Sequence, residues 1–159
     1  MGVQTASRTA VVRCKNGDHT IELTEREPVA ERLIKISRKH SFNPDTDVDW
    51  DAPQDPDRFY MPPQLVSLYE TPLWDQMTHR QRVELSKREV AEIASFGIWA
   101  ELLLMHILVK TAYRFRYDSN HTAYALTEIA DECRHSIMFG RMVRTFGLRT
   151  RRPHPVAYH

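Results

Sequence analysis

From His79 to about Tyr117 the chain carries an almost unbroken helical pattern, far longer than the roughly 8 to 20 residues of an ordinary globular helix. Thr78, with Gln81 three residues on, has the form of a capping box that starts it. A helix of that length invites a kink, and Gly97 is the position expected to provide it. Asp118 and Ser119 supply a turn, after which a second helical pattern runs from about Asn120 to Phe146 and stops at Gly147, a residue suited to the left-handed end of a helix. So short a connection makes the two long helices antiparallel neighbours. With no strand pattern of any length, the fold class is all-α, a helical bundle.

Within the first long helix, Ile93 to Val109 is strongly apolar. It falls short of the roughly 20 residues that a membrane-spanning helix needs and holds Glu101 near its centre and His106 beyond it, so the expectation is a buried helix with a reason to keep a carboxylate. Composition agrees with a soluble single domain: 159 residues, 42% hydrophobic and 27% charged, with a formal net charge of +1 that gives no long-range attraction to nucleic acid or an anionic membrane. Arg141, Arg144, Arg149, Arg151 and Arg152 cluster toward the C-terminus, as expected of a solvated helix end and a basic tail over residues 149–159.

Residues 1–25 read as a loose leader with at most a short strand at His19 to Leu23. Pro28, Val29, Leu33, Ile34 and Ile36 then lie close to helical spacing, which predicts a docking helix that stops near His40. Asp45, Asp47, Asp49 and Asp51 alternate in a Pro-rich stretch, but a calcium loop is excluded because Trp50 stands where the loop needs glycine and Pro56 where it needs glutamate. The stretch is read as an extended arm pinned by Trp50, Phe59 and Tyr60, followed by a short helical piece over Leu65 to Trp74 with a turn at Thr71-Pro72. Cys14 and Cys133 form neither a metal-binding nor a disulfide pattern, and the N-terminus lacks a secretory apolar core, so a cytoplasmic protein is expected.

The chemistry is concentrated in T-E-I-A-D-E-C-R-H, Thr127 to His135. Glu132 is the one glutamate of eleven with a histidine three residues on, and that spacing puts both side chains on one helix face. Alone, such a pair is a weak signal. Glu101 strengthens it, because an unpaired carboxylate among Ala94, Gly97, Ile98, Leu104, Met105 and Leu108 would be costly to bury and a metal ion removes that cost. At about 1.5 Å per residue, roughly 16 residues up from Glu101 and roughly 13 back to Glu132 bring the two carboxylates to similar depth. The competing reading is a buried Glu101 paired with Arg134 or Lys110.

Di-iron bundles use one Glu from each of two helices and one Glu-x-x-His from each of two others, and this chain supplies one of each. Glu101, Glu132 and His135 are therefore the candidate ligands. Asp131, four residues before His135, is the candidate partner for the second ring nitrogen of that histidine, with Arg134 to neutralise it, and Glu128 on the same face would support the ligands. His106 lies off the Glu101 face by roughly 140° and His121 sits at a helix start, so both are read as ordinary histidines. Hard oxygen ligands with imidazole suit iron or manganese rather than a structural zinc.

V-A-E-R-L-I-K-I-S-R-K-H-S-F-N-P, S-L-Y-E-T-P-L-W, L-S-K-R-E-V-A, F-G-I-W-A-E and L-T-E-I-A-D-E-C-R-H-S-I-M-F, in this order between Glu27 and Leu148, resemble the p-aminobenzoate N-oxygenase-like di-iron oxygenases. The resemblance implies a ferritin-like bundle, often dimeric, whose di-iron centre uses O₂ to oxygenate the nitrogen of a small aromatic amine, with an electron donor that the residues do not identify. It also marks Glu101, Glu132 and His135 as iron ligands, and residues 26–148 as the first half of such a domain. Members place a further Glu and a second Glu-and-His helix C-terminal to this region, and no second E-x-x-H is present here. The expectation is a homodimer that combines two half-sites, or a chain that works with a missing C-terminal half. A ferritin-like ferroxidase with the site shared between two chains, and an inactive remnant, are the alternatives.

Overall fold

The computed structural model describes residues 10–14, 17–21, 26–40 and 42–152. The readings placed on the other residues, including most of the leader and the end of the basic tail, lie outside them, as does the side chain of Cys14. Two short strands, β1 (Ala10–Cys14) and β2 (Gly17–Ile21), pair antiparallel with Ala10 opposite Ile21 and Cys14 opposite Gly17. This hairpin replaces the single short strand expected at His19 to Leu23. The helices are α1 (Arg26–Lys39), α2 (Pro44–Asp47), α3 (Pro72–Gln76), α4 (His79–Ala112) and α5 (Asn120–Thr145).

The chain divides into two compact units, one of residues 1–41 with 106–130 and one of residues 42–105 with 131–159. In the first, α1 buries Ala30 and Ile34 one turn apart, while Val29 and Ile36 stay about half exposed. Glu27 performs the docking. Its carboxylate accepts hydrogen bonds from the backbone N–H groups of Asn120 (3.0 Å) and His121 (3.4 Å) and lies 3.1 Å from His121 Nδ1. A helix N-terminus presents unpaired N–H groups and partial positive charge, so a carboxylate there satisfies both. The helix expected to reach Tyr117 stops at Ala112, because the next residues are held in a turn. Arg116 forms a two-pronged pair with Asp118, its carbonyl accepts from Thr122 Oγ1 (2.8 Å), and Phe115 packs on the His121 ring.

The second unit holds the arm and the adjoining parts of α4 and α5. Contacts step along the two helices in opposite directions: Ala91 and Ala94 share a buried cluster with Val143, Gly97 faces Phe139, and Met105 Sδ is 3.4 Å from Cys133 Sγ. The helices therefore run antiparallel here. α4 is continuous through Gly97, and the expected kink is absent. A Cβ at this position would come within 3.1 Å of the Phe139 ring, so the glycine serves close helix approach. The capping box is formed, with Thr78 N donating to Gln81 Oε1 (2.8 Å) and Gln81 N to Thr78 Oγ1 (3.3 Å). At the other end, Gly147 has φ +71° and Leu148 N reaches back to the Val143 carbonyl (3.1 Å), closing α5.

The arm is pinned as its aromatics suggest. Trp50 Nε1 donates to the Pro44 carbonyl (2.6 Å) under the Arg141 guanidinium, Tyr60 packs edge-on against Phe146, and Tyr60 N donates to the buried Ser86 hydroxyl. The alternating aspartates make local turns: Asp47 accepts from Asn43 N, Asp49 from Asp51 N and Asp55 from Asp57 N. The helical piece expected over Leu65 to Trp74 is instead a single 3-10 turn (Pro63–Leu65) and α3, with Thr71 capping α3 by accepting from Trp74 N. Arg151 pairs with Glu92 (2.8 Å) and its N–H reaches Ser95 Oγ, so that part of the basic tail is fastened to α4.

Two substitutions test these placements. Glu27→Ala should lower stability by about 1–2 kcal/mol through loss of the α5 cap, and Gly97→Val by about 1–3 kcal/mol through overpacking against Phe139. Chemical denaturation of each variant, with unchanged slopes, is the measurement.

Candidate metal centre

α4 places Glu101 on its α5-facing side and α5 presents Glu132 and His135 one turn apart, so one donor atom from each lies within 4.8 Å of the others. His135 Nδ1 is 2.9 Å from Glu132 Oε2 and 3.7 Å from Glu101 Oε1. Two donors bound to one ion at about 2.0–2.2 Å stand no more than about 4.4 Å apart, and His135 Nδ1 lies within that span of both carboxylates. The Glu132 and Glu101 side chains are 11% and 19% exposed, against 43% for His135. The cluster is thus closed from the carboxylate side and accessible from the imidazole side.

Burial pushes the Glu101 carboxyl above the ordinary value, and the neighbouring Glu132 carboxylate adds to the shift, partly offset by His135. Two carboxylates brought together with little water disfavour each other's ionised form, and a cation between them would relieve this. The donor set fits a hard divalent metal: two carboxylates and an imidazole suit Fe(II) or Mn(II) and lack the thiolates of a structural zinc site.

The alternative pairing of Glu101 with Arg134 or Lys110 does not form. Arg134 pairs with Asp131 on its own helix, and Lys110 is exposed. Asp131 is held by Arg134 on its own helix, and the His135 nitrogen that meets Glu132 Oε2 is Nδ1, the one in the donor cluster. Glu128, half-buried one turn before Glu132, is outside the three-residue cluster. His106 is exposed and His121 belongs to the Glu27 clamp, so neither joins the site. Two contributions escaped sequence reasoning. The Ser136 hydroxyl, next to His135, is buried with no hydrogen-bond partner, and Phe139, one turn beyond His135, packs on Gly97 and brings the helices together below the site. Small residues at helical spacing, Ala94 and Gly97, are the signal that could have shown the close approach.

An all-α fold with a carboxylate–imidazole cluster between two antiparallel helices is consistent with a ferritin-like bundle. The chain belongs to the family described as p-aminobenzoate N-oxygenase AurF, whose model matches residues 23–159, and this is a family of di-iron oxygenases. Among curated relatives it is similar to uncharacterized proteins of Mycobacterium bovis and Mycobacterium tuberculosis, at 26% identity over 147 residues. The match takes in 88% of this chain, and the chain spans 43% of the length of those relatives. No solved structure matches it.

The raised Glu101 carboxyl has a definite sign. Its protonated form is favoured by the fold, so the contribution is complete below the ordinary carboxylate pKa and is lost as pH rises through the raised value. Metal-free Glu101→Gln should therefore melt higher than the metal-free parent at pH 7, with the gap closing as the pH falls toward 4. Thermal melts across that range check it.

Proposed function

We infer that this chain carries half of the di-iron centre of an O₂-dependent arylamine N-oxygenase, with Glu101, Glu132 and His135 as iron ligands. The observation that supports this most is the convergence of these three donors, within 4.8 Å of one another, in a chain of this family. When bound, the di-iron centre supplies O₂ activation and oxidation of the amine nitrogen. The chain's own residues hold and shield it. Glu101 and Glu132 offset the cation charge, and the more exposed imidazole side leaves a way in for a small aromatic amine.

By length and composition α4 could also cross a membrane. A bundle interior accounts better for a helix that carries Glu101 turned toward two further donors, since a spanning helix keeps such groups only where protein or water surrounds them. The exposed Cys133 thiol beside an oxygen-activating centre fits a reducing cytoplasm.

The test is anaerobic loading with Fe(II), followed by metal analysis and O₂ uptake with and without p-aminobenzoate. Iron should be retained, and alanine at Glu101, Glu132 or His135 should weaken retention at least about tenfold, as loss of a ligand does. O₂ uptake that depends on the arylamine supports N-oxygenation. Uptake that instead yields ferric mineral and ignores the arylamine would replace this reading with a ferroxidase.

A further inference from the structure

The Ser136 hydroxyl is buried without a hydrogen-bond partner, a condition that other hydroxyls on the long helices avoid. Ser86 donates to the Val83 carbonyl, Ser95 to Ala91, Thr127 to Ala123 and Thr145 to Arg141, each turning back three or four residues along its own helix. Ser136 makes no such bond to Cys133 or Glu132. Leaving a buried hydroxyl unpaired is costly, and in a folded chain it calls for a reason. Because the atom is already enclosed by this chain's own residues, its partner has to be a group that lies beside it here.

Helical spacing puts Ser136 on the face of α5 that meets α4. It follows Glu132 by four residues and precedes Phe139, which packs on Gly97, by three and Val143, which is buried with Ala91 and Ala94, by seven. Two contacts fix its depth. Cys133 meets Met105 and Phe139 meets Gly97; Ser136 lies midway between Cys133 and Phe139, and Glu101 midway between Met105 and Gly97, so the two share one layer. Glu132 Oε2 is engaged with His135 Nδ1 at 2.9 Å, whereas Glu101 Oε1 stands 3.7 Å from that nitrogen, beyond hydrogen-bond reach. The acceptor in the layer of Ser136 is therefore the Glu101 carboxylate.

We propose that Ser136 is a positioning residue of the metal centre: its hydroxyl donates to the Glu101 carboxylate once a cation lies between Glu101 and Glu132, and so sets how that carboxylate turns. This rests on the metal reading above and adds to it a residue that ligates nothing. In the metal-free chain the Glu101 and Glu132 carboxyls are hydrogen-bonded to each other, which leaves Ser136 without an acceptor. With a cation between them that mutual contact is no longer needed, and a Glu101 oxygen becomes free to accept. Carboxylate ligands are commonly held in this way, by a hydrogen bond from a group that does not touch the metal.

The test is titration of the chain with Mn(II) alone, with free Mn(II) read by electron paramagnetic resonance, beside thermal melts of the metal-free protein. Ser136→Ala should weaken Mn(II) binding at least about tenfold, as loss of a group that orients a ligand does. The metal-free variant should melt no lower than the parent, since the hydroxyl it loses has no partner there. Ser95→Ala should do the reverse: its hydroxyl donates to the Ala91 carbonyl and accepts from Arg151 N, so the melting temperature falls and Mn(II) affinity stays. A role in packing alone moves both readouts together. Mn(II) affinity unchanged by Ser136→Ala would overturn the positioning role and leave the metal reading standing. The role is equally overturned if metal-free Ser136→Ala melts below the parent, which means that the hydroxyl is paired by the fold or by a buried water, or if Ser95→Ala weakens Mn(II) as much. A parent that takes up no Mn(II), indistinguishable from Glu101→Ala and Glu132→Ala, would overturn both.

Discussion

A carboxylate in the middle of an apolar helix is the constraint on which the site depends. Glu101 cannot be left unpaired in that setting without a cost of several kcal/mol. The structure answers with a second carboxylate and an imidazole from the neighbouring helix, and not with a lysine or arginine. That choice matters chemically. A salt bridge would neutralise Glu101 and end its usefulness, whereas Glu132 beside it raises its affinity for any cation, proton or metal, that enters. The paired carboxylates therefore cost stability wherever no cation lies between them.

Close approach of α4 and α5 makes this meeting possible. Gly97 lets the Phe139 ring lie against the α4 backbone one turn below Glu101, and Ala91 and Ala94 continue the small-residue seam to the buried Val143. The arm then fixes α5 from outside, with Gln54 satisfying the Thr145 carbonyl at its C-terminus and Arg141 held between Trp50 and Asp45. In the other unit the start of α5 is tied to Glu27. Each end of α5 is thus anchored by a side chain distant in sequence, and Glu132 and His135 carry none of that burden.

Fold class, the capping box at Thr78, the glycine stop at Gly147 and the aromatic anchors of the arm were legible in the sequence, because each rests on local chemistry: periodicity, reciprocal caps, a left-handed residue, a large ring in a polar stretch. The three donors were legible too, Glu132 and His135 from their spacing and Glu101 from its misplaced charge. Boundaries set by long-range contacts were not. α4 stops at Ala112 because Arg116, Phe115 and Thr122 hold a turn, although the helical pattern continues to Tyr117. Gly97 is helical because a neighbour occupies the space its side chain would fill, so propensity alone suggested a kink that packing removes.

Asp131 and Arg134 show where the division falls. Sequence by itself determined an all-α chain with two long helices, and the candidate donors and the face each occupies, since helical spacing of 3.6 residues fixes which side chains point together along one element. Only tertiary structure decided which group faces His135. Glu132 and Asp131 both lie within a turn of it, and the outcome depends on the rotamers that packing allows and on the competing Arg134, quantities that spacing does not encode.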